Sequence, residues 1–342
     1  MDRRYTTTDM EALAEALSRF FNTTYFTLTP IEGGASSRIY FRIDFREESY
    51  FPGDAVMLMV VPPPDMRLLT DYMHIDYYLR RMQVPTPRLY ELDQSTGWIF
   101  LKFESAPTLE NYLLQHPLRT EDALVALSGF LRSLQQKCRR EDHCPAFQRR
   151  FDYDHYQFEF SFHVQEQLLG FYDQTPYDSA LLLDFAKEIS TVLDITHPVF
   201  VHRDFQSSNI FIHPRADGKF DFSVIDFQDA RYGTPVYDLV SFLWDSYLAV
   251  PEDLQARLVE EFYRHLEPDL GIGWDRAHYQ RIVDYSIIQR KLRDAGIFAD
   301  NYRRSKNQRY LAHLDSALRM ALVPMAKYPA FREMRQLLER LV

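Results

Sequence analysis

The sequence predicts an α+β chain in two lobes: a small antiparallel β-rich lobe with one packed helix, then a larger, mainly helical lobe. Three observations carry this. Strand-length runs of β-branched and aromatic residues crowd the first hundred positions, helical periodicity dominates after Pro107, and one short β interlude breaks the helices between 200 and 227. At 342 residues, 46% hydrophobic and 15% aromatic, the chain is long enough to bury one large core or two modest ones.

The first element is a helix over 8–21, where apolar residues recur at helical spacing behind Thr8 or Asp9 as N-cap. YFTLTPI (25–31), RIYFRIDF (38–45) and AVMLMVV (55–61) have strand length and composition, and EGGASS and REESYFPGD break them apart. They predict consecutive antiparallel strands. A helix follows over 65–82, ended by Pro85 and Pro87, and GWIFLKF (97–103) returns as a strand. Ala106 and Pro107 are the hinge candidates, dividing the chain into lobes of residues 1–106 and 107–342. Beyond the hinge the periodicity predicts helices over 108–116, 120–139, 155–170 and 177–196. A hairpin-like interlude, FVHRDFQSSNIFIHPRADGKFDFSVIDF, comes next, and helices resume over 236–249, 252–266, 274–298, 306–322 and 328–341.

The formal charge of -10 disfavours a nucleic-acid or anionic-membrane surface, so neither partner is expected. A small molecule, or a cationic one, is easier to accommodate. The chain has no run of about 18 uncharged apolar residues, and MDRRYTTTDMEALAEAL is charged and helix-like rather than a signal peptide. A cytoplasmic monomer is expected. Cys138 and Cys144 lack the paired spacing of a structural zinc site and are expected as two reduced thiols.

Chemistry concentrates in two loops. In VHRDFQSSNIFI (201–212), Asp204 is placed to face an acceptor hydroxyl, and Asn209, five residues on, to offer its amide oxygen to a metal. In FSVIDFQDA (222–230), Asp226 leaves a buried strand where its carboxylate can bridge magnesium between phosphate oxygens. Phosphoryl transfer from a nucleotide needs this combination: a carboxylate that orients and receives the hydroxyl proton, and oxygen ligands that hold magnesium on the phosphates. Asp and Asn near strand ends often do no more than cap turns. Two such loops in this order, separated by a hairpin and preceded by a glycine-containing β-loop-β unit, point to a phosphotransferase instead.

These loops resemble those of the aminoglycoside phosphotransferase and choline kinase family, relatives of the protein kinases. The chain is most similar there to the bacterial anomeric kinases for N-acetylmuramate and N-acetylglucosamine. VHRDFQSSNIFI, VIDFQDARYGTPVYDLVSFLWD (224–245), GGASSRIYFRI (33–43) and RKLRDAGIFA (290–299) carry the likeness, which spans most of the chain. The resemblance implies a two-lobed protein-kinase-like fold, with a nucleotide-binding N-terminal lobe and a C-terminal lobe for catalysis and substrate. It implies ATP and magnesium as cofactors, Asp204 as catalytic base, Asn209 and Asp226 as magnesium ligands, and His202 and Arg203 as shapers of the loop. Asp238 resembles the family aspartate that holds the catalytic loop from the next helix. Asp229 either orients a substrate or caps that helix.

IEGGASSRIYF gives Gly33 and Gly34 for close backbone approach to phosphates, Ala35 between, and Ser36 and Ser37 as further donors, although two glycines between strands also suit a plain hairpin turn. Protein kinases pair a lysine of the next strand with the nucleotide phosphates. Here that strand is AVMLMVV, with Met57 and Met59 in the region. Arg38 and Arg42, on one face of the preceding strand, are the replacement candidates, against the alternative that they line a solvated face. Lys102, Phe103 and Glu104 stand where relatives carry an acidic hinge and are expected to present backbone groups to an adenine edge. Gln206 stands where many relatives carry His.

On the substrate side, FDYDHYQFEFSFHVQEQ (151–167) mixes aromatics and acids on a helix, which suits a pyranose face and its hydroxyls. Asp154 and Glu159 are the substrate candidates, with Asp204, Gln206 and Asp229. His155, Glu159 and His163 share a helix face, where a solvated or pocket-lining surface is favoured over a metal site. Arg290, Lys291 and Arg293 either receive a substrate carboxylate or decorate a helix face, the second being preferred. The expected activity is phosphorylation of a small sugar, at the anomeric hydroxyl of an N-acetylated hexose, in cell-wall sugar recycling. An aminoglycoside or amino-alcohol kinase and a non-catalytic kinase-like binding protein are the alternatives.

Overall fold

Five strands build the N-terminal sheet: β1 (Phe26–Ile31), β2 (Ile39–Phe45), β3 (Ala55–Val60), β4 (Leu89–Asp93) and β5 (Trp98–Lys102), in the order β1-β2-β3-β5-β4 with all neighbours antiparallel. The computed structural model describes residues 7–31, 38–46, 50–53, 55–62, 67–172 and 177–342. Side-chain alternation gives the sheet two apolar faces. Phe41, Ile43, Val56, Leu58 and Phe100 pack under helix α1 (Thr7–Phe21) through Leu13, Leu17 and Phe21. Met59, Ile99 and Leu101 point the other way, into a core shared with helix α2 (Arg67–Arg81) and the C-terminal lobe.

The first three strands and α2 lie where the sequence places them. Asp9 stands in the first turn of α1 rather than at its cap. In this lobe strand β4 is the element missed, as the short α5 (Pro145–Gln148) and β9 (Arg231–Gly233) are in the other. The β4 residues LYELD are all half-buried at the sheet edge, so they lack the apolar run that marks an inner strand. The division expected at 106/107 falls in the connection between β5 and the next helix.

The C-terminal lobe runs through α3 (Leu109–Gln115), α4 (Thr120–Lys137), the short α5 (Pro145–Gln148), α6 (Tyr153–Glu159) and α7 (Ser179–Leu193). Helix α6 continues without a break as a π-helix over Phe160–Leu169. After β6 (Val199–Val201), β7 (Ile210–Pro214) and β8 (Phe220–Val224) form the expected hairpin, and β9 (Arg231–Gly233) returns to pair with β6. Helices α8 (Val236–Leu243), α9 (Glu252–Leu270), α10 (Arg276–Ser305), α11 (Arg309–Met325) and α12 (Arg332–Glu339) complete the lobe. Helix α10 runs past its expected end at 298, while α8 stops six residues short of 249. No helix is long and apolar enough to cross a membrane among the described residues.

Helix α10 passes through the centre of this lobe, and the π-helix lies directly against it. Gly296 makes that approach possible: a Cβ there would stand 2.0 Å from the carbonyl oxygen of His163. Cys138 and Cys144 are buried, unpaired thiols at the two ends of the segment joining α4 to α5.

Candidate functional site

The loop between β6 and β7 carries Asp204, and its backbone is fixed from three directions. Asp238, fully buried in α8, accepts hydrogen bonds from the amides of His202 (2.7 Å) and Arg203 (3.0 Å). Asp245, just beyond α8, accepts from Ser207 N (2.6 Å). From α10, Arg290 Nη1 donates to the Arg203 carbonyl at 2.5 Å and stands 3.3 Å from Asp204 Oδ1. Arg203 itself has φ +77°, a left-handed conformation that few residues other than glycine adopt.

The second loop is joined to the first through backbone. Ile225 N donates to the Asn209 carbonyl at 3.0 Å, which sets Asp226 beside Asn209. Asn209 Nδ2 donates to the Asp204 carbonyl at 3.0 Å, committing the nitrogen end of its amide to the loop. Asp226 is also left-handed, with φ +66°, and Asp226 Oδ1 accepts from Arg38 Nη1 (2.7 Å) and Gln228 Nε2 (2.8 Å). Asp204, Asn209, Asp226 and Arg38 are therefore gathered in one place. Gln206 joins them at the rim, 3.4 Å from Arg290 Nη2.

Charge around Asp204 is asymmetric. Burial pushes its carboxyl up, but Arg293, Arg290 and Arg203 more than offset this and hold it at about 2. It is an anion at any physiological pH. Asp238 goes the other way: burial raises it to about 7 in spite of its two amide donors. His202, wholly buried, is pulled down to about 4 and is neutral.

Three expectations need correction. Glu159 is fully buried and engaged by Arg203 (2.6 Å), Arg293 (3.1 Å) and Gln289 Nε2 (2.5 Å), so it balances the arginines beneath the site and is out of reach of a sugar. Arg290, Lys291 and Arg293 do not decorate a helix face; all three are buried and converge on Asp294, Arg290 and Arg293 also facing Asp204. Asp229 does not cap α8, which starts behind Pro235; it pairs with Arg203 and with Arg231 at 3.3 Å. Asp154 is exposed in the first turn of α6, outside this network. Of the helix face shared with Glu159, His163 bonds Gln167 at 2.7 Å through Nδ1.

On the nucleotide side, Gly33, Gly34, Ala35, Ser36 and Ser37 lie outside the described residues. Arg38 goes to Asp226, while Arg42 is held two-pronged by Asp44 and lies over the Phe103 ring at 4.4 Å. Lys102 is exposed, its amide donating to the Arg88 carbonyl at 2.7 Å, and Glu104 accepts from Ala106 N.

Sequence reasoning missed a second connection between the lobes. Arg149 pairs with Asp71 of α2 and donates to the Gln228 carbonyl at 2.9 Å, while Tyr72 of α2 lies on Phe227 with ring centroids 4.8 Å apart. Helix α2 is thus tied to the Asp226 loop directly, not through a lysine on β3. Arg149, one of two adjacent arginines in FQRRF, gave no signal, but an Asp beside Leu69, Tyr72 and Ile75 on the apolar face of α2 was a visible anomaly.

A sequence profile described as the phosphotransferase enzyme family matches residues 27–279, most of the chain and both loops. The chain belongs to this family. Among its relatives, the N-acetylmuramate/N-acetylglucosamine kinase of Neisseria meningitidis is 26% identical over 326 residues, covering 93% of this chain and 91% of that one. Solved structures with a similar fold include a Plasmodium vivax ethanolamine kinase, with TM-score 0.62, 13% identity and coverage of 94% and 90% of the two chains. Wild-type aminoglycoside 2'-phosphotransferase-IIIa in its GDP complex superposes with TM-score 0.61 at 13% identity, covering 93% of this chain and 98% of that one. The phosphotransferase family and its kinase-named members make the chain a small-molecule kinase of protein-kinase-like fold.

Proposed function

We propose that the chain uses ATP and magnesium to phosphorylate a hydroxyl of a small sugar, the anomeric hydroxyl of N-acetylmuramate or N-acetylglucosamine, in the cytoplasm. The observation that carries the reading is the junction of Asp204, Asn209 and Asp226 through two hydrogen bonds, with the Asp204 carboxylate held ionised by arginines. The names of relatives matched along nearly the whole chain support the choice of sugar. Two buried, unpaired cysteines suit a reducing compartment.

Asn209 and Asp226 fit magnesium: both offer hard oxygen, and with Asn209 Nδ2 committed to the loop its Oδ1 is the end left for a cation. The ion supplies neutralisation of charge on the phosphate oxygens. Asp204, held near 2, is a weak base, so its task is to orient the acceptor hydroxyl and receive the proton late, as the loose transition state of phosphoryl transfer allows. Arg38, immediately before β2, stands beside Asp226 and takes the phosphate-facing role of the absent lysine. Phe158 and Phe162, exposed and stacked 5.7 Å apart at 7°, offer an apolar face on the substrate helix.

The test is ATP consumption with magnesium against N-acetylglucosamine, N-acetylmuramate, plain hexoses, choline and kanamycin, beside Asp204→Ala. Turnover on an N-acetyl sugar that Asp204→Ala abolishes is the expected result, with phosphorus NMR assigning the anomeric position. Turnover on kanamycin or choline alone overturns the substrate assignment. Nucleotide binding without any turnover overturns the catalytic one.

A further inference from the structure

We infer that Arg290 is a positioning residue for phosphoryl transfer, fixing from α10 both the left-handed peptide at Arg203 and one oxygen of Asp204. The inference rests on the reading of Asp204 as the carboxylate that meets the acceptor hydroxyl.

The contacts of the guanidinium are unusual in where they fall. Nη1 reaches the Arg203 carbonyl (2.5 Å), Asp204 Oδ1 (3.3 Å) and the Tyr237 hydroxyl (3.3 Å), while Nη2 reaches Gln206 Oε1 (3.4 Å). The other side of the fork is braced by Asp294, 3.2 Å from Nε and one helical turn further along α10. At 2% exposure the side chain cannot swing out to meet a ligand, so it acts only through the groups it already touches. Besides Tyr237 and Asp294, which brace it, those groups are three positions of one loop: Arg203, Asp204 and Gln206.

The peptide it holds needs holding. A non-glycine residue in the left-handed region persists only where its surroundings over-determine it. At Arg203 they do so on every side. Asp238 takes the N–H, Arg290 gives to the C=O, and the side chain is clamped by Glu159 and Asp229. The turn made there aims the next residue, Asp204. Removing the donor to the carbonyl releases one of these restraints at the residue that sets the direction of the carboxylate.

Stability alone is a poor reason for the arrangement. Burying a guanidinium costs several kcal/mol in lost solvation, and a buried ion pair of this kind is commonly no better for folding than apolar side chains of the same volume. A planar fork with donors in a fixed geometry serves a carbonyl and a carboxylate together in a way an ammonium cannot. That geometry is what Arg290 uses.

The experiment compares Arg290→Met and Arg290→Lys with the unaltered chain, using ATP, magnesium and whichever acceptor turns over. For each protein, nucleotide-binding sites are counted by calorimetry, so that kcat is expressed per folded site. Arg290→Met is expected to lower kcat per site by roughly 100-fold, the loss that a small misplacement of a reacting group produces, with both KM values within about twofold. Arg290→Lys keeps the charge and serves one of the two acceptors, so it recovers about tenfold of that loss. Unchanged kcat per site in both variants, with only the number of sites reduced, makes Arg290 a folding residue and overturns the inference. Should Arg290→Met not fold, Arg290→Lys decides alone: kcat per site equal to the unaltered chain overturns it. Asp204→Ala is measured in parallel. Activity surviving there removes Asp204 from the reaction, a failure of the underlying reading that is recognisable apart from any result at Arg290.

Discussion

Arg38 Nη1 stands 2.7 Å from Asp226 Oδ1, an ion pair that joins the residue preceding β2 in the N-terminal sheet to the Asp226 loop of the C-terminal lobe. On the function proposed above, it supplies the phosphate-side cation that β3, which has no lysine, does not. Arg38→Ala should raise the KM for ATP by about tenfold, the worth of one charge-assisted hydrogen bond, and leave the acceptor KM in place. Arg38→Lys should restore part of the affinity. Calorimetric nucleotide binding checks this independently of turnover, and an unaltered affinity removes Arg38 from the nucleotide site.

The pairing of Asp71 with Arg149 predicts a coupling between α2 and the Asp226 loop. Single changes Asp71→Asn and Arg149→Met should each destabilise the fold, because each strands a largely buried charge. In the double variant the two losses should overlap, with an interaction energy of about 1–3 kcal/mol in a denaturant cycle. Strict additivity would mean that the two side chains act separately. The kcat should fall in both single variants while the acceptor KM holds.

Two glycines on helices should respond in opposite directions to alanine. At Gly296 the new methyl meets the His163 carbonyl, and the π-helix has to move, so Gly296→Ala should cost about 1–3 kcal/mol. At Gly129, exposed within α4 with nothing within 4 Å of a Cβ, alanine removes backbone freedom and should add about 0.5–1 kcal/mol. Urea midpoints measure both. Equal effects would show that the close approach of the π-helix to α10 does not constrain residue 296.

Asp238 should leave two pH signatures of opposite sign. Its native carboxyl titrates at about 7 against 3.8 for an unperturbed one, so between these values the folded chain holds the extra proton and this group's contribution to stability falls as pH rises. The ionised form is the better acceptor for the His202 and Arg203 amides, so kcat/KM should fall as pH drops below about 7. Asp204, held near 2, is ionised throughout and cannot produce that limb. Asp238→Asn should flatten the acid limb and lower the plateau. An acid limb that survives the substitution has another origin.

Much of this architecture was legible because it rests on local pattern. Period-2 and period-3.6 runs marked the three leading strands and α2, and the two polar loops stood out between apolar segments. What stayed hidden depended on packing across the chain. LYELD at the sheet edge is too mixed to announce β4, and nothing local tells a reader that Arg149 reaches Asp71. The arginines of α10 were legible in principle. Ile282, Val283, Tyr285, Ile287, Ile288, Leu292, Ala295 and Phe298 surround that helix with apolar side chains, and a helix apolar all round is buried, together with any charge it carries. Reading Arg290 and Arg293 as surface residues overlooked this. Glu159 misled for the related reason that its arginine partners lie 44 and 134 residues away in sequence.

The burial of both cysteines has a practical side. Desolvation holds Cys138 at about 12 and Cys144 at about 11, and since the thiolate is the reacting form, neither is available to maleimides at neutral pH. The native chain is therefore a ready background for single-site labelling, with no cysteine to remove first. A cysteine introduced at Leu118, 96% exposed in the turn between α3 and α4, would accept one fluorophore and report on the C-terminal lobe alone.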